Sequence, residues 1–161
     1  MTAIALDTTS LRHALAAFPS GVTAVGAVID GQPVGLAASS FTSLSLDPPL
    51  VSVAFARTSA TWRQLRDVRH WGLNVLAAHH DAICRELAGP AADRFRNVPW
   101  TATDRGAIVI ADAALTLLCT QQDVVPVGDH DLAVLSVERI ERRGDTEPLL
   151  FHASRFRRVV G

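Results

Sequence analysis

The chain has 161 residues, 48% of them apolar and 19% charged, with 15 basic against 16 acidic side chains. This size and composition predict one folded domain over residues 1–161, with a loose N-terminus over 1–9, and exclude a disordered chain. The near-balanced charge gives no long-range pull toward nucleic acid or an anionic membrane, so neither is expected as a partner.

Further absences narrow the chemistry. All 15 basic residues are Arg, and Tyr is missing. Without Lys there is no aldimine-forming amine and no P-loop. No Gly-x-Gly pair, Gly-x-Ser-x-Gly or His-Glu-x-x-His occurs. Cys84 and Cys119 match no metal spacing and read as buried free thiols of a reducing compartment. No basic-then-apolar leader opens the sequence, and Pro, Gly or Asp interrupts every apolar run before membrane-spanning length. A cytoplasmic location is expected.

In chain order, Thr9 or Ser10 is placed to cap a short helix with Leu11, Leu15 and Phe18 on one face, ended by Pro19-Ser20-Gly21. A hairpin follows: residues 22–29 are β-branched and apolar, Asp30-Gly31 is a favoured two-residue turn, and residues 33–38 return. After a Ser/Thr-rich stretch and Pro48-Pro49, residues 50–56 form a buried strand. Ser59 then caps a helix carrying Trp62, Leu65 and Val68. Residues 71–76 form another strand and 79–88 a helix with a polar start at His79-His80-Asp81, before an irregular stretch over 89–105. Leu115, Leu117 and Cys119 alternate inward, Gly128-Asp129 turns the chain, residues 132–140 make a long strand, and 149–156 a shorter closing one. Many strands, hairpin turns and few short helices predict a mostly β fold, a closed antiparallel barrel with peripheral helices. Strands and helices do not alternate regularly enough for a doubly wound α/β fold.

Three segments could carry chemistry. In residues 35–43 small side chains let a ligand lie against the backbone while hydroxyls add donors, although composition alone equally fits a plain Ser/Thr-rich strand end. Arg57-Thr58-Ser59-Ala60-Thr61 follows a strand and opens a helix, a good phosphate cradle or an ordinary Ser cap. Arg94 of Asp93-Arg94-Phe95 offers a second guanidinium or a surface ion pair. In Gly128-Asp129-His130 an imidazole beside a carboxylate can orient a ligand, move a proton, or simply be solvated.

Taken in order, Phe18-Pro19-Ser20-Gly21-Val22-Thr23, the long block over residues 33–51, Asn74-Val75-Leu76, Asp93-Arg94-Phe95, Gly128-Asp129-His130 and Pro148-Leu149-Leu150 cover nearly the whole chain. They resemble the short-chain flavin reductases, reductase components of two-component flavin-dependent monooxygenases. The resemblance implies a six-stranded antiparallel split β-barrel (the FMN-binding split barrel) working as a homodimer. It implies FMN or FAD as flavin, NADH or NADPH as hydride donor, and a partner monooxygenase fed by diffusible reduced flavin. Carried over, Ala37, Ala38, Ser39, Ser40, Phe41 and Thr42 meet the flavin ring and ribityl chain, largely through backbone groups. Arg57, Ser59 and Thr61 hold the phosphate with help from Arg94, and His130, paired with Asp129, stands on the nicotinamide side. The family usually has Asn where this chain has Ser39, and Thr where it has Ala37. The resemblance also leaves a pyridoxamine-phosphate-oxidase-like FMN enzyme and a non-catalytic flavin or haem carrier as alternatives. No metal site is expected.

Overall fold

The computed structural model describes residues 3–160. Positions 1–2 of the expected loose N-terminus, and position 161, lie outside them. Helix α1 (Thr8–Leu15) is capped by Asp7 rather than by Thr9 or Ser10: its carboxylate accepts the Ser10 N–H at 2.9 Å and the Ser10 hydroxyl at 2.8 Å. The two carboxylate oxygens take one donor each, so Asp7 satisfies both groups of Ser10 at once. The apolar face is present as expected, but Leu11, Leu15 and Phe18 are 46%, 62% and 78% exposed, so no element among the described residues covers it.

The strands are β1 (Ser20–Gly21), β2 (Thr23–Ile29), β3 (Gln32–Ala38), β4 (Thr42–Leu46), β5 (Pro49–Ala56), β6 (His70–Val75), β7 (Trp100–Ala102), β8 (Ile108–Ile110), β9 (Leu115–Val127), β10 (His130–Arg142), β11 (Leu150–His152) and β12 (Arg155–Arg157). Helices α2 (Ala60–Leu65) and α3 (Asp81–Leu87) and a single 3₁₀ turn, Ala91–Asp93, complete the regular structure of the described residues. The main sheet is antiparallel, in the order β3-β2-β6-β9-β10-β5-β4. It has seven strands, one beyond six, because the Ser/Thr-rich segment folds onto β5 as the edge strand β4.

The predicted β2–β3 turn forms, with Asp30 and Gly31 both at positive φ, the geometry that two-residue hairpins need. The predicted closing strand is instead the hairpin β11–β12, turned at Ala153 and Ser154 (φ 50° and 60°) and paired with β1 outside the main sheet. The stretch expected to be irregular holds β7, which pairs with β8, itself unpredicted.

Strands β2 and β6 are buried on both faces. Val25, Trp71 and Leu73 enter one core with Val53, Phe55, Trp62, Leu65 and Leu135, while Val22, Ala24, Leu76, Cys84, Leu87, Ile108, Ile110 and Leu149 form a second. Alternation therefore sends neighbouring β6 residues to opposite cores. On the second face Gly72 lets β8 approach, and Asn74, fully buried, ties it down. The Asn74 amide donates to Ala24 O (3.2 Å) and Ile108 O (3.0 Å), and its carbonyl accepts from Ile110 N–H (3.0 Å) and Thr116 O–H (2.9 Å). All four hydrogen-bonding valences of the amide are used, which makes its burial tolerable. Both cysteines are free and buried; burial pushes the Cys119 thiol up to about 12 and raises the Cys84 thiol as well.

Candidate active site

Strand β5 delivers its last residues to the mouth of the β9–β10 hairpin. His130 lies opposite Ala56, and the Arg57 N–H donates to the Asp129 carbonyl at 3.1 Å. The structure thus brings Arg57, Asp129 and His130 together from positions far apart in sequence. His130 Nδ1 is 2.7 Å from Asp129 Oδ1, with the two side chains 44% and 97% exposed. The bond from His130 holds the Asp129 carboxyl below its ordinary range and leaves the far ring nitrogen, Nε2, for another partner.

The carboxylate that organises this corner is Asp131, which the sequence reading did not single out. Asp131 is 4% exposed; it accepts Trp62 Nε1–H on one oxygen and Arg57 Nε–H on the other, each at 2.9 Å. Trp62 is fixed in turn by stacking on Phe55 (centroids 4.6 Å apart, planes 4° apart) and by an edge contact with Trp71. Only Nε of Arg57 is engaged, so both of its terminal nitrogens remain available to a ligand. The signal was present in the strand period: Asp131, Ala133 and Leu135 are alternate residues that all bury, and a carboxylate at an inward position requires internal donors.

The hydrogen bond from Trp62, then the bond and charge of Arg57, hold the Asp131 carboxyl below its ordinary value. A carboxyl lowered in the folded state stabilises the fold above its unfolded pKa of about 3.9, and that contribution is lost as pH falls through the lower folded value. Urea midpoints are therefore expected to hold from pH 7 to about 5 and to decline below about 4. Asp131→Asn should show a shallower decline over the same window; an unchanged acid limb would remove Asp131 from this role.

Ser59 is the N-cap of α2: its hydroxyl oxygen accepts the Trp62 N–H at 3.2 Å, and its hydroxyl proton stays available. Thr61 is buried and accepts from Arg94 Nη1 at 2.8 Å. Arg94 is neither a surface ion pair nor a free cation. Its Nε donates to Gly89 O (2.8 Å) and Nη1 also donates to Gly35 O (3.0 Å), so one guanidinium fastens β3, the end of α3 and α2 together. Burial lowers its pKa. Gly35 and Thr61 line a cleft of about 510 Å³ with Gln64, Phe95 and Trp100.

Ala37, Ala38 and Ser39 line a separate, more apolar cleft of about 250 Å³ with Cys84, Phe151 and Phe156. Residues 39–41 lie outside both neighbouring ladders, which end at Ala38 on one side and begin at Thr42 on the other. The Ser40 hydroxyl donates to Ala54 O (2.9 Å) and accepts from Ala54 N–H (3.0 Å), fastening this run to β5 three residues before Arg57. Phe41 packs half-buried on the barrel core, and Thr42 is exposed on β4 opposite Ser52. Small side chains, unladdered peptide groups and an oriented guanidinium therefore lie along one connected stretch of structure.

Comparison with known proteins places this arrangement in a family: the flavin reductase like domain matches residues 15–160. The chain belongs to the flavin reductase-like family. This flavin reductase-like chain is 37% identical over 145 residues to the Rhizobium meliloti (strain 1021) protein named "Probable flavin reductase", covering 89% of this chain and 47% of that one. It therefore spans about half the length of that relative. It is 31% identical to the reductase subunit HsaB of a flavin-dependent monooxygenase from Rhodococcus jostii (strain RHA1), over 97% of this chain and 80% of that one. Among solved structures it matches the NADH:FAD oxidoreductase SgcE6 of Streptomyces globisporus, in complex with NAD and FAD fragments. That match has a TM-score of 0.90 and 33% identity, over 96% of this chain and 93% of the other. The split-barrel reading of the flavin reductase-like fold is borne out, with strands dominating over helices.

Proposed function

We propose that the chain is an NAD(P)H:flavin oxidoreductase that passes hydride from NADH or NADPH to FMN or FAD and supplies reduced flavin to a separate flavin-dependent monooxygenase. The observation that carries this reading is the main-chain run 39–41, free of both ladders, flanked by small side chains and pinned by Ser40 next to the Arg57 corner. The reductase names of the relatives, and the NAD and FAD fragments bound to SgcE6, support the substrate pair.

When bound, the flavin supplies the hydride-accepting ring, so the protein's work is placement rather than acid–base chemistry. This suits a chain without Lys or Tyr. In this reading the peptide groups of residues 39–41 meet the ring edge, and Ala37 and Ala38 leave room for it. Backbone N–H groups there stabilise negative charge on the reduced ring. Arg57 presents its terminal nitrogens to the flavin phosphate, and Ser59 adds a hydroxyl proton. Arg94 acts through Thr61 and Gly35, holding the groove walls in place. His130, oriented by Asp129, positions the nicotinamide.

The chain acts as a homodimer in this proposal. The uncovered apolar face of α1 (Leu11, Leu15, Phe18) and the exposed Leu44, Leu46, Val125 and Val127 support a second copy as its cover. Among the described residues no helix is long and apolar enough to cross a membrane. Work in the cytoplasm is inferred from the two free, buried thiols.

Purified protein is expected to oxidise NADH only when FMN or FAD is added. His130→Ala should lower turnover more than flavin affinity. Absence of any flavin-dependent rate with either nicotinamide would end the reductase reading.

A further inference from the structure

Beside the Arg57 corner lies a cleft of about 310 Å³ between α2 and the β9–β10 hairpin, lined by Arg57, Trp62, Arg63, Arg66, Pro126 and Asp131. Its charge is unbalanced: three guanidiniums face one carboxylate, and that carboxylate is already committed to Arg57 Nε and Trp62 Nε1. Among the described residues neither Arg63 nor Arg66 pairs with an acidic side chain. Arg63 Nη2 donates to the Thr58 carbonyl at a weak 3.4 Å.

The backbone under these arginines is held in place. Arg63 and Arg66 are three apart and so share a helix face. Gln121 of β9 donates to the Arg66 carbonyl at 2.8 Å, which fixes the end of α2 against the barrel. Stacking of Trp62 on Phe55 fixes its middle. A cluster of guanidiniums on a fixed frame favours an anion with several oxygens, because each planar fork can offer two parallel N–H groups. A phosphate ester meets that description better than a single carboxylate.

We propose that this cleft is a second phosphate site, which takes either the 2′-phosphoryl group that NADPH has and NADH lacks or the second phosphoryl group of FAD, the one that comes with the adenylate absent from FMN. The inference rests on the reductase reading, in which Arg57 faces the flavin phosphate. Arg57 then stands between the two sites, with Arg63 and Arg66 serving only the second. The chemistry is shared by two sources, the 2′-phosphate of NADPH and the distal phosphate of FAD, and the specificity of the enzyme for its substrate pair is set here.

The test compares wild type with R63A/R66A, a double substitution of exposed side chains. Steady-state KM values are measured for the four pairings of FMN or FAD with NADH or NADPH. Binding of adenosine 2′,5′-bisphosphate and of inorganic pyrophosphate is followed by calorimetry at low ionic strength, independently of turnover. Loss of two charge-assisted contacts should weaken at least one probe by roughly tenfold or more. The KM for NADPH, or for FAD, should rise by a similar factor while the FMN–NADH pairing stays unchanged. A rise confined to NADPH assigns the 2′-phosphate, and one confined to FAD the distal phosphate. Probe binding that is absent from wild type or equal in both proteins overturns the site, as does an equal rise for all four pairings. If no pairing turns over while probe binding is lost in the variant, the phosphate cleft stands and the reductase reading falls.

Discussion

Replacing Arg57 with Ala is expected to raise the KM for FMN, measured with NADH, by roughly 10- to 100-fold while leaving that for riboflavin unchanged. The range corresponds to losing one or two hydrogen bonds between a guanidinium and a phosphate, interactions stronger than neutral ones because both partners are charged. Riboflavin presents the same ring and ribityl chain without the phosphate, so it isolates the charge. Arg57 can deliver this effect because Asp131 grips only Nε, which aims the guanidinium and leaves its terminal nitrogens outward. Arg57→Lys should fall between wild type and Arg57→Ala, since an ammonium keeps the charge but cannot hold Asp131 sideways and present a fork at once. Equal losses for FMN and riboflavin would show that Arg57 acts on the fold rather than on the phosphate.

Gly72→Ala is expected to cost about 3 kcal/mol of unfolding free energy, at the upper end for overpacking. A Cβ on Gly72 would stand 1.7 Å from the Ile108 carbonyl oxygen and 2.6 Å from its carbon. Those are backbone atoms, so no rotamer change relieves the clash; β8 must move off β6. That movement strains the Asn74 bonds to Ile108 and Ile110 as well. Gly144 offers the control: nothing lies within 4 Å of where a Cβ would stand, so Gly144→Ala should be near neutral. Urea denaturation of the three proteins decides the matter, and a wild-type midpoint for Gly72→Ala would contradict the packing.

What the sequence made legible was local. The Asp30-Gly31 turn, the Ser59 cap and the apolar runs of β2, β5 and β6 each declare themselves within a few residues, where backbone preference decides. The β11–β12 hairpin stayed hidden because its left-handed turn is built from Ala153 and Ser154, without the Gly or Asn that usually marks one. Strand β8 is three residues long, and its place is set by Asn74, more than thirty positions earlier. At the site the same contrast holds. Arg57, Ser59, Asp129 and His130 stand out by residue type, and the structure gathers Arg57 with Asp129 and His130. The link between Asp131 and Trp62 spans 69 positions and joins a strand to a helix, so only the folded barrel reveals it. Arg94 was legible as a cation but not as a clasp, because two of its three partners are backbone carbonyls, which every residue has, and the third is the hydroxyl of Thr61, 33 positions away.

The Ser40 hydroxyl takes the place of a peptide unit opposite Ala54, accepting and donating as a paired strand residue would. A side chain thus completes the edge, and the main chain beside it is released from that duty. Recognition by main chain is indifferent to side-chain identity. Mutational tolerance should therefore be broad at position 39, where the groups on offer survive substitution, and limited to large apolar residues at position 41, where Phe41 also packs on the core. Position 40 should accept only Ser or Thr, the small side chains that can give and receive a hydrogen bond through one atom.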